Sequence, residues 1–179
     1  MSAEPVVLRC HPQSRCNATR NVSVLARAAA DDNLAVTFTL EADFEKLRIP
    51  APQPPRRTDG LWRHTCFEVF VTADGEAYRE FNFSPSGEWA AYAFTRYRDG
   101  GPLAVIAAPC VDARVDGSKL VLDALMPSGC LPAREAAARW RLGLTAIVED
   151  AAGVLSYWAL EHPPCRPDFH HPDGFVLQL

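Results

Sequence analysis

The residues best suited to chemistry fall between Leu61 and Arg98. Glu68, Tyr78, Glu80, Asn82 and Trp89 bring two carboxyls, a phenol, an amide and a flat indole into one short stretch. Such a set suits a polyhydroxylated ligand: the ring stacks on C–H faces while the polar groups take the hydroxyls. It works only if the side chains stand on one face of one sheet. Trp62, just after a proline-rich loop, is a further candidate to flank the same site.

Loop length decides which residues stand together, because facing residues of an antiparallel pair share a side. The segments Cys66–Thr72 and Tyr78–Phe83 read as a hairpin around Asp74-Gly75. A two-residue loop sets Glu68 opposite Phe81 and Glu80 opposite Val69, mixing both faces. A three-residue Asp74-Gly75-Glu76 loop, with glycine left-handed, shifts the register by one. Phe67, Val69, Val71, Phe81 and Phe83 then form an apolar face, and Glu68, Phe70, Tyr78, Glu80 and Asn82 form the other. The second register is expected, since a lone buried carboxylate is expensive. A four-residue turn at Ser84-Pro85-Ser86-Gly87 would add Trp89, Ala91 and Ala93 to the polar face, and Ala90, Tyr92 and Phe94 to the core. The competing reading of the polar face is an ordinary wet sheet surface.

Other chemistries find less support. Glu68 and Glu80 are diagonal neighbours in this register, at a separation a glycosidase pair could use, but two acids on one wet face equally serve as surface charges or hydrogen-bond acceptors. His64 and Cys66 share a strand face, with no third residue to orient a nucleophile, so a packed thiol is expected. His162, Cys165, His170 and His171 are zinc-ligand types in a non-standard spacing, stiffened by four prolines, and no metal site is assigned to them. A haem would need axial ligands. His64 has no assignable partner, and the methionines are Met1 and Met126, the latter before Pro127. The chain has no EF-hand-like carboxylate run, no Gly-rich phosphate loop and no Gly-x-Ser-x-Gly elbow. Trp140 and Trp158 read as packing residues.

The elements that must position these residues are mostly strands. Alternating segments rich in Val, Phe, Tyr and Thr occur near Val6–Cys10, Val22–Ala28, Leu34–Ala42, Cys66–Thr72, Tyr78–Phe83, Trp89–Tyr97, Val105–Val115, Leu120–Leu125, Arg141–Glu149, Leu155–Glu161 and Phe175–Leu179. Turn residues separate many of them, including Asp99-Gly100-Gly101 and Asp116-Gly117. One short helix is expected near Leu131–Trp140, with Pro132 near its start and Glu135 four residues before Arg139. Ile49–Asp59, with four prolines, reads as a loop within the domain. Short strands at close spacing imply an all-β fold, a two-sheet antiparallel β-sandwich in a single domain spanning residues 1–179.

The bulk numbers agree. The 179 residues are 48% hydrophobic, enough for a core, with a formal charge of −4 and an isoelectric point near 5.7. That balance offers no electrostatic reason to bind nucleic acid or an anionic membrane. The N-terminus has no basic-then-apolar signal, and no run approaches a membrane span of ~18–20 residues. A cytoplasmic location is therefore expected, with the six scattered cysteines as thiols.

Two longer strings carry a family resemblance. Leu61-Trp62-Arg63-His64-Thr65-Cys66-Phe67-Glu68-Val69-Phe70, then Tyr78-Arg79-Glu80-Phe81-Asn82-Phe83-Ser84-Pro85-Ser86-Gly87-Glu88-Trp89, resembles bacterial DOMON-like domain proteins, relatives of family 9 carbohydrate-binding modules. So does the ending, Ser156-Tyr157-Trp158-Ala159-Leu160 and Pro167-Asp168-Phe169-His170-His171-Pro172-Asp173-Gly174-Phe175. The resemblance implies a β-sandwich that binds sugar or haem, usually without catalysis, and some sugar-binding relatives use calcium. The expectation is a non-catalytic module for a carbohydrate or sugar-containing ligand, using Glu68, Tyr78, Glu80, Asn82, Trp89 and Trp62. The alternatives are a haem-binding domain, or a protein-interaction domain with no small-molecule site.

Overall fold

The computed structural model describes residues 4–14, 17–73, 75–105, 107–134, 138–164 and 166–179. They form strands β1 (Val6–Val7), β2 (Arg9–Cys10), β3 (Thr19–Ala28), β4 (Leu34–Ala42), β5 (Cys66–Thr72), β6 (Tyr78–Phe83), β7 (Trp89–Arg96), β8 (Asp99–Pro102), β9 (Cys110–Asp116), β10 (Lys119–Met126), β11 (Arg141–Glu149), β12 (Leu155–Ala159) and β13 (Leu177–Gln178). Two antiparallel sheets result. One has the order β1-β3-β4-β10-β9; the other runs β2-β12-β11-β5-β6-β7-β8, with β13 also on β11. This is the expected sandwich.

Period-two patterning builds the first sheet. Along β4 every other residue is buried from Leu34 to Ala42, so Leu34, Val36, Phe38 and Leu40 face the second sheet and the residues between them face outward. Leu120, Leu122, Ala124 and Met126 of β10 do the same, meeting Phe67, Val69, Phe81, Phe83, Leu142 and Leu144 in one core. The second sheet is different. All seven residues of β5 are buried, so its outer face is covered as well. The covers are a 3-10 turn at Leu61–Arg63 and the segment between β12 and β13, which crosses the outer face and lays Phe175 on Phe70.

The N-terminal segment serves both sheets. Val6 and Val7 pair with β3, the Leu8 N–H donates to the Val22 carbonyl, and Arg9 and Cys10 pair with β12. The single strand expected at Val6–Cys10 is therefore two short strands that change sheet at Leu8.

Several boundaries differ from expectation. Pro109, which has no N–H to donate, precedes β9, so the strand begins at Cys110 rather than Val105. β12 ends at Ala159, ahead of Pro163-Pro164, and the last strand shortens to Leu177–Gln178. Asp99-Gly100-Gly101 is not a turn but the start of edge strand β8. Gly100 is required there, because a Cβ would lie 2.0 Å from the Ala93 carbonyl oxygen. The turn is Tyr97-Arg98, with Arg98 left-handed at φ 55°.

The helix expected near Leu131–Trp140 is not formed at Leu131–Arg134 or Ala138–Trp140; residues 135–137 lie outside the described residues. Trp140 instead exchanges backbone hydrogen bonds with Leu179 at 2.9 and 3.0 Å. Its indole N–H donates to the Pro132 carbonyl. These contacts fix Trp140 against the core, and that outweighs alanine propensity there.

The loop from Ile49 to Asp59 completes an open edge. Thr58 N–H donates to the Trp89 carbonyl, and Trp89 N–H to the Arg56 carbonyl. The Arg57 guanidinium caps the Ala91 and Leu103 carbonyls at 2.7 and 2.6 Å. Backbone groups at the start of β7, which β8 does not reach, are thereby satisfied.

Candidate functional site

The β5–β6 register is the expected one: Glu68 faces Asn82, Val69 faces Phe81 and Phe70 faces Glu80. Gly75 is left-handed at φ 75°, as the three-residue loop requires; Asp74 lies outside the described residues. Glu68, Phe70, Tyr78, Glu80 and Asn82 therefore share the outer face of the second sheet. They are not a wet surface. Glu68, Glu80 and Asn82 are 3%, 6% and 0% exposed.

The β6–β7 register is one residue away from expectation. Phe83 faces Trp89, and Asn82 faces Ala90. The Ser84 N–H donates to the Glu88 carbonyl, and the Gly87 N–H to the Ser84 carbonyl. The loop proper is thus Pro85-Ser86-Gly87, with Gly87 left-handed at φ 91° and one more pair closed than a four-residue turn allows. Trp89 consequently points into the inter-sheet core beside Phe83 and Ala91, and is no ligand-facing residue. Tyr92 and Phe94, expected inside, take the outer face.

A cavity of about 350 Å³ opens over this face. Its floor carries Glu68 and Glu80. Glu68 accepts from the Thr145 hydroxyl at 3.2 Å. Glu80 accepts from the Asn82 amide at 3.0 Å, which leaves the buried Asn82 Oδ1 without a partner. Burial pushes the Glu68 carboxyl well above the usual range, and the neighbouring Glu80 adds to the effect. Burial also raises Glu80, to about 7, against the pull of Asn82 and Arg98.

Aromatic side chains form the walls. Trp62, on the Leu61–Arg63 turn, meets Tyr92 edge-on at 6.0 Å; Phe94, Tyr157 and Phe169 complete them. Tyr78 lies behind the wall, its ring stacked on Phe94 at 4.6 Å, and helps position the site rather than line it.

The roof comes from the segment after β12. Asp168 is held by the Tyr97 hydroxyl at 2.6 Å and the Arg98 guanidinium at 2.7 Å, so the β7–β8 turn clasps the roof. Burial works to raise the Asp168 carboxyl, but these two donors outweigh it and hold it below its usual value. His170 packs edge-on against Phe70 and Phe94. The Arg98 N–H donates to the Tyr78 hydroxyl, whose own proton can reach His170 Nδ1 at 2.8 Å. In that tautomer Nε2 carries the ring proton and faces Glu80 Oε2 at 3.7 Å. Burial holds His170 down at about 4, so the ring is neutral at pH 7 and makes no ion pair with Glu80.

The other candidates disperse. His162 bonds to the Arg9 carbonyl, and His171 accepts from the Asp173 N–H, so with His170 in the cavity the tail histidines point three ways; Cys165 and Cys16 lie outside the described residues. No group of three metal-ligand side chains converges among the described residues. His64 pairs with Glu149 at 2.7 Å and Met126 is wholly buried between the sheets, so these two do not meet at the cavity as axial haem ligands would need. Cys66 is a buried thiol that burial and Glu68 push further up, in keeping with a packing role.

Sequence reasoning therefore places Trp62, Glu68 and Glu80 at the cavity, with Asn82 and Tyr78 supporting it, and misplaces Trp89. It misses Tyr92, Phe94, Arg98, Tyr157, Asp168, Phe169 and His170. One signal was available: β7 is aromatic on both faces, which a strand with one wet face does not require.

Fold and site together define a β-sandwich with a roofed, aromatic-walled cavity on the outer face of one sheet. No protein-family model matches the chain, and no curated protein matches it. Among solved structures, a Bacteroides uniformis protein inferred to bind carbohydrate superposes with a TM-score of 0.70 at 14% identity, over 97% of this chain and 84% of its own. A family 9 carbohydrate-binding module from Caldicellulosiruptor kristjanssonii, solved with glucose, overlaps at a TM-score of 0.47 and 10% identity, over 84% and 75%. The first likeness shows a shared fold.

Proposed function

We propose that the cavity is a non-catalytic binding site for a sugar or sugar-containing ligand. The observation that carries this reading is a floor of two buried acceptors, Glu68 and Glu80, enclosed by the aromatic walls of Trp62, Tyr92, Phe94, Tyr157 and Phe169. Apolar walls with a few convergent polar groups are the usual make-up of a small-molecule site, and ~350 Å³ lies within the ~300–1,000 Å³ range of such pockets. Aromatic faces suit the C–H face of a sugar ring, and the acceptors suit its hydroxyls. The fold shared with a protein inferred to bind carbohydrate supports the same reading, as does the sequence resemblance to DOMON-like proteins.

The non-catalytic part rests on direction. Glu68 and Glu80 rise from adjacent strands on one face of the sheet, so both approach a ligand from below. Glycoside hydrolysis needs carboxyls flanking the scissile bond.

Trp62 supplies the test. It is 39% exposed, so its removal costs little folding energy. Trp62→Ala is expected to weaken binding of any sugar that the wild type takes by about five- to tenfold, in line with ~1 kcal/mol for an aromatic contact, while the melting temperature stays nearly constant. Calorimetric titration over a panel of neutral and amino hexoses reads this out. Unchanged affinity after the substitution, or no binding across the panel, would overturn the proposal.

A further inference from the structure

Resting on that reading, we infer that the ligand carries a protonated amine, and that its ammonium group sits on the floor between Glu68 and Glu80. Two acids face one cavity, and neither has a cationic partner among the described residues. Glu68 has Thr145, and Glu80 has Asn82 and a neutral His170. Among the described residues the one cation that lines the cavity is Arg98, and its guanidinium is committed to Asp168 at 2.7 Å and Tyr97 at 3.2 Å.

Buried carboxyls without counter-charge are costly, and a neutral hydroxyl does not compensate them. An ammonium does. It brings three N–H donors, and the floor offers the carboxyl oxygens of Glu68 and Glu80, with Asn82 buried behind them and donating to Glu80. Trp62, Tyr92 and Phe94 add the aromatic faces that favour a cation in a desolvated site. Burial favours the protonated form of both acids, so an arriving ammonium displaces protons to solvent.

The test is calorimetry on the full chain at pH 7.5, in two buffers of different protonation enthalpy. The probes are D-glucosamine, 6-amino-6-deoxy-D-glucose, D-glucose, N-acetyl-D-glucosamine and ethanolamine. At least one free-amine sugar is expected to bind about tenfold or more tighter than the two sugars without an amine, the size of a close buried charge pair. Its binding heat should depend on buffer, showing proton release. Glu80→Gln is expected to cut the preference to within about twofold; Glu68→Gln serves as the second variant should the first fold poorly. Equal binding of glucose and the amino sugars would overturn the amine and leave the sugar reading standing. Binding of ethanolamine with no preference for any sugar would retain the amine and overturn the sugar reading. Binding of none of the probes would overturn both.

Discussion

Glu80→Gln should stabilise the empty protein by on the order of 3 kcal/mol at pH 8, and by almost nothing near pH 4. The Glu80 carboxyl titrates near 7 in the folded chain, against 4.5 as its ordinary value. Below pH 4.5 it is protonated in both folded and unfolded states, and glutamine mimics that form. Between 4.5 and 7 the folded state holds a proton that the unfolded state has released, so stability falls as pH rises, by ~1.4 kcal/mol per unit. Above 7 the loss is complete. Glutamine removes the penalty and keeps the shape. Urea melts of both proteins across pH 4 to 8 would show it: the difference should grow from near zero to a plateau above pH 7. A variant less stable than wild type at pH 8 would mean that Glu80 is ionised and satisfied in the fold. A cost of this kind, kept at the floor of a cavity, is what a site held ready for a ligand looks like.

Phe175→Ala is expected to cost about 3 kcal/mol or more, and to lower the melting temperature by roughly 10 °C. The ring is 5% exposed. It stacks on Phe70 at 5.9 Å and meets Tyr78 edge-on at 5.5 Å. Its seat is shaped by Gly143, where a Cβ would come within 2.7 Å of the ring. The segment that Phe175 anchors also carries Asp168 and His170, so affinity for the ligand should fall together with stability. A thermal melt and a titration on the same sample test both effects. A loss below about 1 kcal/mol would show that the tail is not docked on the sheet in solution.

The two registers explain how much of the site was legible in the sequence. Around β5 and β6 the polar residues Glu68, Glu80 and Asn82 stand against Phe67, Val69, Phe81 and Phe83, and only one loop length segregates them. Around β7 both sides are apolar: Trp89, Ala91 and Ala93 against Ala90, Tyr92 and Phe94. Segregation cannot choose between registers when a strand is covered on both faces, and β7 is covered by the core and by the Leu61–Arg63 turn. The decision fell to loop closure at Ser84 and Glu88, which polarity does not encode. The roof was hidden for another reason. Asp168 lies 70 residues from Arg98, and His170 lies 92 from Tyr78. No periodic pattern links residues across such separations. β4 and β10, with one face in and one face out, were legible almost residue by residue. The stretch Leu131–Trp140 was not, because Trp140 is fixed by backbone pairing with Leu179 at the far end of the described chain.

The change of sheet at Leu8 has a consequence for the timing of synthesis. Arg9 and Cys10 have their partners in Ala159 and Trp158, and Arg9 also meets Glu161, 152 residues further on. At ~5–20 residues per second, those partners are made roughly 8–30 s after the segment that needs them. β1 can settle on β3 early, since Val6 and Val24 are made close together. The stretch just past Leu8 must wait, its edge groups unpaired, until β12 has left the ribosome. The strap that joins the two sheets is thus among the last pieces to be placed, and a nascent chain stalled before β12 would expose it.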